Sequence, residues 1–373
     1  MSTRTTPPFR ADHVGSLLRP PDLLRARADL AAGRITPREL RAVEDQAIRA
    51  AVALQQEVGL RSVTDGEFRR ASWHMDFIYQ IGGIGQVPGT LVSKFVNTEG
   101  AIEFTPPAIR VNRRVTMDKT IFGDDFAFLQ SIAGSSIPKL TIPAPSMVHY
   151  RSGVRAVVDE SIYPDVEEFW GDVAAAYAEE VRRLAEQGCR YLQIDDISLA
   201  YLNDPAQRAY ISDRGEDAEH MHLRYISLIN AAVAGRPAGM AVATHLCRGN
   251  FRSSWVASGG YDFVAEALFN ELDVDGFFLE YDDDRSGGFE PLRFVPPGKQ
   301  VVLGLVTTKR PELESKDELK RRIDEAAKYV PLDQLCLSGQ CGFSSTFEGN
   351  ALTAADQAAK LRLIVETAAE VWG

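Results

Sequence analysis

The sequence predicts a (β/α)8 TIM barrel of the α/β class, with an insertion between its second and third strands. Short apolar runs that end in polar or small residues recur eight times. Between them lie capped, amphipathic helical patterns, and strands that alternate with helices form a parallel sheet. A length of 373 residues suits one such barrel with insertions. An open doubly wound sheet is the alternative, but no G-x-G-x-x-G follows the first run.

The runs are ADHVGS (11–16), RSVTDGE (61–67), KLTIPAPS (139–146) and RYLQIDD (190–196), then GMAVATHLC (239–247), GFFLEYD (276–282), QVVLGLVTT (300–308) and QLCLSGQCG (334–342). The first long helix opens with Thr36 as N-cap, Pro37 in the first turn and Glu39 completing a capping box, and it stops at Gly59. A second runs from Pro164 to Gly188, and similar patterns begin at Glu216, Ser315 and Thr353. Residues 73–135 break the alternation: they are rich in Gly and Pro and partly β in pattern. They read as an excursion over the barrel mouth, a lid, inside a single domain of residues 1–373.

Bulk properties exclude several classes. The net charge of -11 argues against a nucleic-acid backbone as partner, which needs a basic surface. No apolar run reaches the roughly 18 residues that span a bilayer, so no membrane partner is expected. The N-terminus lacks the apolar core of a signal peptide, and four cysteines are too few for a disulfide scaffold. A cytoplasmic protein with free thiols is the expectation.

Barrel active sites sit at the C-terminal ends of the strands. Those ends carry His13 to Ser16, Asp65 to Glu67, Pro145-Ser146, Asp195-Asp196, His245 with Cys247, Glu280, Thr307-Thr308 and Cys341. A lone His-x-Cys pair is a weak signal. His245, Cys247, Glu280 and Cys341 together make a nitrogen, two sulfurs and an oxygen on converging strand ends, a plausible tetrahedral zinc shell. Cys189 and Cys336 read as packing residues, His220 and His222 as surface residues, and Asp282, Asp283 and Asp284 as a solvated acidic loop. No G-x-S-x-G, P-loop or H-E-x-x-H is present.

HVGS, DGE, QIDD, H-x-C, LE and CG, in this order on successive runs, resemble the cobalamin-independent methionine synthases, and in particular short forms that keep only the catalytic barrel. The resemblance spans about residue 10 to 373. It implies methyl transfer from a methyl-folate or other donor to the thiol of homocysteine. It implies Zn2+ on His245, Cys247, Glu280 and Cys341. It also implies an amino-acid site made of Val14 (by backbone), Ser16, Glu67 and Asp195. The sequence departs from the family in three places. There is no room for an additional N-terminal barrel. The seventh run ends in Thr307-Thr308 without the expected histidine, leaving His13 or His149 as proton donors. No tryptophan follows the third run, where His149 and Tyr150 stand. The methyl donor is therefore open, a methyl-carrying protein partner included. Rival readings are transfer to another thiol, such as coenzyme M attacking an epoxide, a zinc carbon–sulfur lyase, and a non-catalytic zinc- or thiol-binding protein.

Overall fold

The computed structural model describes residues 4–89, 92–97, 100–105, 108–150 and 152–373. Its twelve strands in chain order are β1 (Ser62–Val63), β2 (Gly82–Val87), β3 (Ser93–Asn97), β4 (Gly100–Phe104), β5 (Ala108–Thr116), β6 (Ile137–Pro138), β7 (Leu140–Pro143), β8 (Tyr191–Asp196), β9 (Ala241–Leu246), β10 (Gly276–Glu280), β11 (Gln300–Val306) and β12 (Leu335–Gly339). The last six form one parallel sheet in the order β12-β11-β10-β9-β8-β7. This α/β sheet matches the third to eighth runs.

The first two runs are shorter than expected. In the first, only Ala11 bridges β12, at Leu337. Asp12 explains why: its carboxylate takes the N–H groups of Phe9 (3.1 Å) and His13 (2.8 Å), which are then lost to a ladder. In the second, β1 pairs in parallel with β6 and stops after Val63. There the Thr64 N–H turns to Gln55 Oε1 (2.8 Å), and Gly66 and Glu67 take positive φ of 67° and 61°. Both outer edges of the sheet are nonetheless met. Residues 10–12 exchange backbone hydrogen bonds with Leu337, and the Lys139 N–H, just before β7, donates to Val63 O.

The sheet is buried on both faces, as parallel sheets require. One face packs against the long helices Val166–Glu186, Met221–Val233 and Ala354–Trp372, while Pro37–Glu57 covers β1; each starts within two residues of its expected cap or well inside its expected span. Both capping boxes, Thr36 with Glu39 and Thr353 with Asp356, are formed. The other face gathers a separate apolar cluster of Val14, Tyr191, Ala243, Phe278, Val302 and Cys336. Side chains alternate along a strand, so this layer sets the orientation of the residues beyond it. Two or four residues past Tyr191, Ala243 and Phe278, the same face carries Asp195, His245 and Glu280.

Residues 73–135 hold two antiparallel pairs, β2 with β5 and β3 with β4. The β3-β4 pair is clasped to the loop after β9, where Val96 and Trp255 exchange both backbone hydrogen bonds, at 2.7 and 2.9 Å. No helix among the described residues is long and apolar enough to cross a membrane.

Asp12 is the node at the base of this architecture. Beside its two backbone donors it accepts from Ser62 Oγ (3.1 Å), Tyr191 OH (2.8 Å) and Lys139 Nζ (3.3 Å), all buried. It thus joins the first segment to β1, β7 and β8. Removing one partner of a buried ion pair leaves the other uncompensated. Asp12→Ala is expected to cost about 3–5 kcal/mol, read as a lowered urea midpoint; a midpoint within experimental error of the wild type would contradict this role.

Candidate metal centre

His245, Cys247, Glu280 and Cys341 converge: their ligand atoms all lie within 4.8 Å of one another, and all four residues are buried. The sulfurs of Cys247 and Cys341 are 3.5 Å apart. Neither ring nitrogen of His245 has a hydrogen-bond partner. A buried imidazole with both nitrogens unpaired is costly unless a ligand completes it. Two sulfurs, a nitrogen and a carboxylate oxygen at this spacing are a fit donor set for a soft-accepting divalent ion.

The surroundings keep the carboxylate ionised. Burial alone would lift the Glu280 carboxyl, but Lys309, Arg285 and His245 outweigh it and hold it below the usual range. One oxygen accepts from the Arg248 N–H at 2.8 Å and the other from Arg285 at 3.1 Å. The two thiols share their protonation: the contact with Cys341 raises Cys247, while the contact with Cys247 lowers Cys341. One thiolate forms readily, and the second needs a cation.

Above these groups opens a cavity of about 590 Å³. Val14, Ser16, Glu67 and Asp195 line it together with His245, Cys247 and Cys341. Glu67 Oε1 accepts from Thr141 at 2.8 Å and faces Arg70 at 3.5 Å, while Oε2 is buried without a partner. Burial raises the Glu67 pKa, and burial pushes that of Asp195 up to about 7, opposed by His245. A cationic ligand group would restore both to carboxylates. Ser16 Oγ accepts from the Ser344 N–H at 3.3 Å. A β-carbon on Gly342 would lie 1.9 Å from that oxygen, so the Cys-Gly step is what lets this loop approach.

The other residues that the sequence singles out lie outside this set of ligand atoms. Neither proposed proton donor lines the cavity. His13 is buried, and burial and then Lys139 lower its pKa to about 4. His149 is turned away by the 3-10 turn Pro145–Val148 and meets Tyr225 OH through Nε2 at 3.1 Å, edge-on to Trp170. Asp282 is no solvated loop residue: its side chain is 1% exposed and paired with Arg285 at 2.8 Å. His220 is exposed beside Asp217, but His222 is half-buried against Phe263. Cys189 and Cys336 are packing residues, as the sequence indicates: both are buried, with thiols pushed up to about 12 by burial.

The sequence marks residues 73–135 as an excursion over the mouth but singles out none of the side chains that form the cavity's upper wall. Trp73, His74, Tyr79, Phe95 and Phe104 come from the excursion, and Phe251 lies four residues after Cys247. Lys309 was missed as well, buried behind the wall with Nζ 3.0 Å from Asn250 Oδ1. The KR after the Thr pair was the available signal.

The family model described as cobalamin-independent synthase, catalytic domain, matches residues 9–370. The uncharacterized Bacillus subtilis protein YxjH is 47% identical over 98% of this chain and 95% of its own. A Listeria monocytogenes crystal structure, provisionally assigned as a vitamin-B12 independent methionine synthase, is 36% identical with a TM-score of 0.78, covering 99% of this chain and 100% of that one. A B12-independent methionine synthase from Shewanella sp. W3-18-1, solved in complex with selenomethionine, shares the fold at 18% identity and a TM-score of 0.69, covering 97% of each chain. The chain belongs to the cobalamin-independent methionine synthase family, matching its catalytic domain.

Proposed function

We propose that the protein is a zinc-dependent thiol methyltransferase that converts homocysteine to methionine inside a closed (β/α)8 barrel. The observation that carries this reading is the junction of two sites in one cavity: four soft and hard donor atoms within 4.8 Å, and two buried carboxylates beside them. Barrel closure is supported by the contacts of residues 10–12 with β12 and of β1 with the start of β7, and by the bond from Thr64 Oγ1 to Gly15 O at 2.6 Å that joins the two short segments. Residues 73–135 are then a lid inserted in a single domain, since part of their length walls the cavity.

His245, Cys247, Glu280 and Cys341 would hold the zinc. Bound there, zinc supplies the Lewis acidity that makes a substrate thiol a thiolate at neutral pH. The protein does the rest by placement. Glu67 and Asp195 take the ammonium of homocysteine, which gives the unpartnered Glu67 Oε2 a donor and Asp195 a cation. The Ser16 hydroxyl, whose oxygen is already an acceptor from Ser344, turns its hydrogen toward the carboxylate. The Val14 carbonyl is occupied by Gln193 Nε2 at 2.7 Å, so its N–H is the backbone group that remains for substrate. This pair of carboxylates favours an amino acid over a sulfonate thiol, whose anion it would repel.

Zinc X-ray absorption on the purified protein tests the metal half. Two sulfurs in the shell are expected without homocysteine and three with it; a shell that ignores homocysteine would falsify the acceptor assignment. The amino-acid half is tested by kinetics. Glu67→Gln and Asp195→Asn should each raise the KM for homocysteine about tenfold to a hundredfold, the worth of a hydrogen bond to a charged group, with zinc content unchanged. An unaltered KM in both variants would point to a different thiol.

A further inference from the structure

The cavity's charge and its walls bear on the group that brings the methyl. None of the described residues lining it is lysine or arginine. The cations nearby are committed behind the wall: Arg70 to Thr141 and Glu67, Lys309 to Gly249 O and Asn250 Oδ1, Arg285 to Glu280 and Asp282. Four carboxylates do line it: Glu67 and Asp195, buried and given above to the acceptor's ammonium, and farther out Asp76, half-buried, and Glu348, exposed. The remaining wall is strongly aromatic: Trp73, Tyr79, Phe95, Phe104, Phe251 and Phe347. Phe251 is clamped between two lid rings, 5.2 Å from Phe95 and 4.9 Å from Phe104. Such a chamber repels a polyanion. It attracts a compact cation, through the ring faces and the outer carboxylates alike.

We propose that the methyl donor is a small sulfonium cation, bound in the aromatic, acid-lined part of this cavity. The inference rests on the thiol-methyl-transfer reading above and names its donor class. It also removes the demand for an acid. A donor that leaves as an anion must be protonated, yet β11 is followed by Thr307 and Thr308, and both His13 and His149 lie off the cavity; apart from His245, the imidazole that does line it, His74, is engaged by Ser72 Oγ at 3.1 Å and lies against the Trp73 ring. With a sulfonium, the acceptor thiolate forms a new sulfur–carbon bond. The donor's sulfur–methyl bond breaks with its electron pair staying on sulfur, and a neutral thioether departs. No proton is transferred in that step, and the two opposite charges annul each other.

Calorimetry on the full-length protein tests the cavity directly, because it requires neither metal nor acceptor. Trimethylsulfonium is expected to bind at least about tenfold more tightly than dimethyl sulfide, which has nearly the same shape without the third methyl or the charge. Trp73→Leu and Phe251→Leu should each weaken it about threefold to tenfold; the wild-type comparison stands even where a variant fails to fold. With zinc and homocysteine, trimethylsulfonium should yield methionine and dimethyl sulfide, and 5-methyltetrahydrofolate carrying one or three glutamates should not. Sulfonium binding no tighter than the sulfide overturns the proposal. So does turnover with a methyl-folate where the sulfonium gives none. The two readings fail separately: homocysteine entering the zinc shell with no sulfonium selectivity removes only the donor assignment. Sulfonium selectivity with no homocysteine in the shell removes the acceptor instead.

Discussion

The site is governed by one electrostatic constraint: anionic ligand atoms packed together out of water. Glu280 is fully buried, and two thiols and an imidazole lie within 4.8 Å of it and of one another. An isolated buried carboxylate would neutralise. It stays ionised because Arg285, Lys309 and the Arg248 N–H surround it. Those compensations come from three different strand ends. Holding the ligand set together therefore requires the sheet, the loop after β9 and the loop after β11 to be correct at once.

The sheet meets this demand through its two-residue period. The layer of Tyr191, Ala243, Phe278, Val302 and Cys336 commits one face to the interior. Everything chemical lies further along the same face, and register then aligns it: Asp195 and Phe278 each stand opposite His245. A slip of one residue would send Asp195, His245 and Glu280 to the helix side together. The anchoring of Asp12 to Tyr191, Ser62 and Lys139 at the opposite end guards against such a slip.

The same period is why the ligand set was legible in the sequence. Each of His245, Glu280 and Asp195 ends or nearly ends an apolar run, so a strand and its direction could be inferred without any knowledge of contacts. What was illegible lies where backbone has no period. Trp73 and Phe251 reach the cavity from irregular segments, and Phe95 and Phe104 from the short β3-β4 pair, whose placement over the mouth depends on its contact with the loop after β9 and not on any period of its own. Asp282 looked solvated because DDD reads as a charge run, although Arg285 three residues on was its visible partner. His149 comes after a strand end as the ligands do, but Pro145 starts a tight turn that re-aims it. The first run looked like a strand, but Asp12 claims the backbone donors that a full ladder would have used.

The end of β11 shows how a strand end without an imidazole still serves the site. Thr308 donates its N–H to Gln340 Oε1 at 2.6 Å, and its hydroxyl lies 3.0 Å from Gly342 O. Lys309 holds Asn250, and Asn250 in turn donates to Gly342 O (2.9 Å) and Ser345 Oγ (3.1 Å). This chain of bonds ties the loop that bears Cys247 to the loop that bears Cys341. It is mechanical support for the 3.5 Å separation of the sulfurs, and it places one positive charge where it lowers the cost of ionising Cys247 and Glu280. A histidine meant to deliver protons would have to face the cavity. A lysine that braces and neutralises has to face away from it, and Lys309 does so. On the proposed function, the residues that close this strand therefore belong to the thiolate side of the chemistry, and the donor side is left to rings and carboxylates.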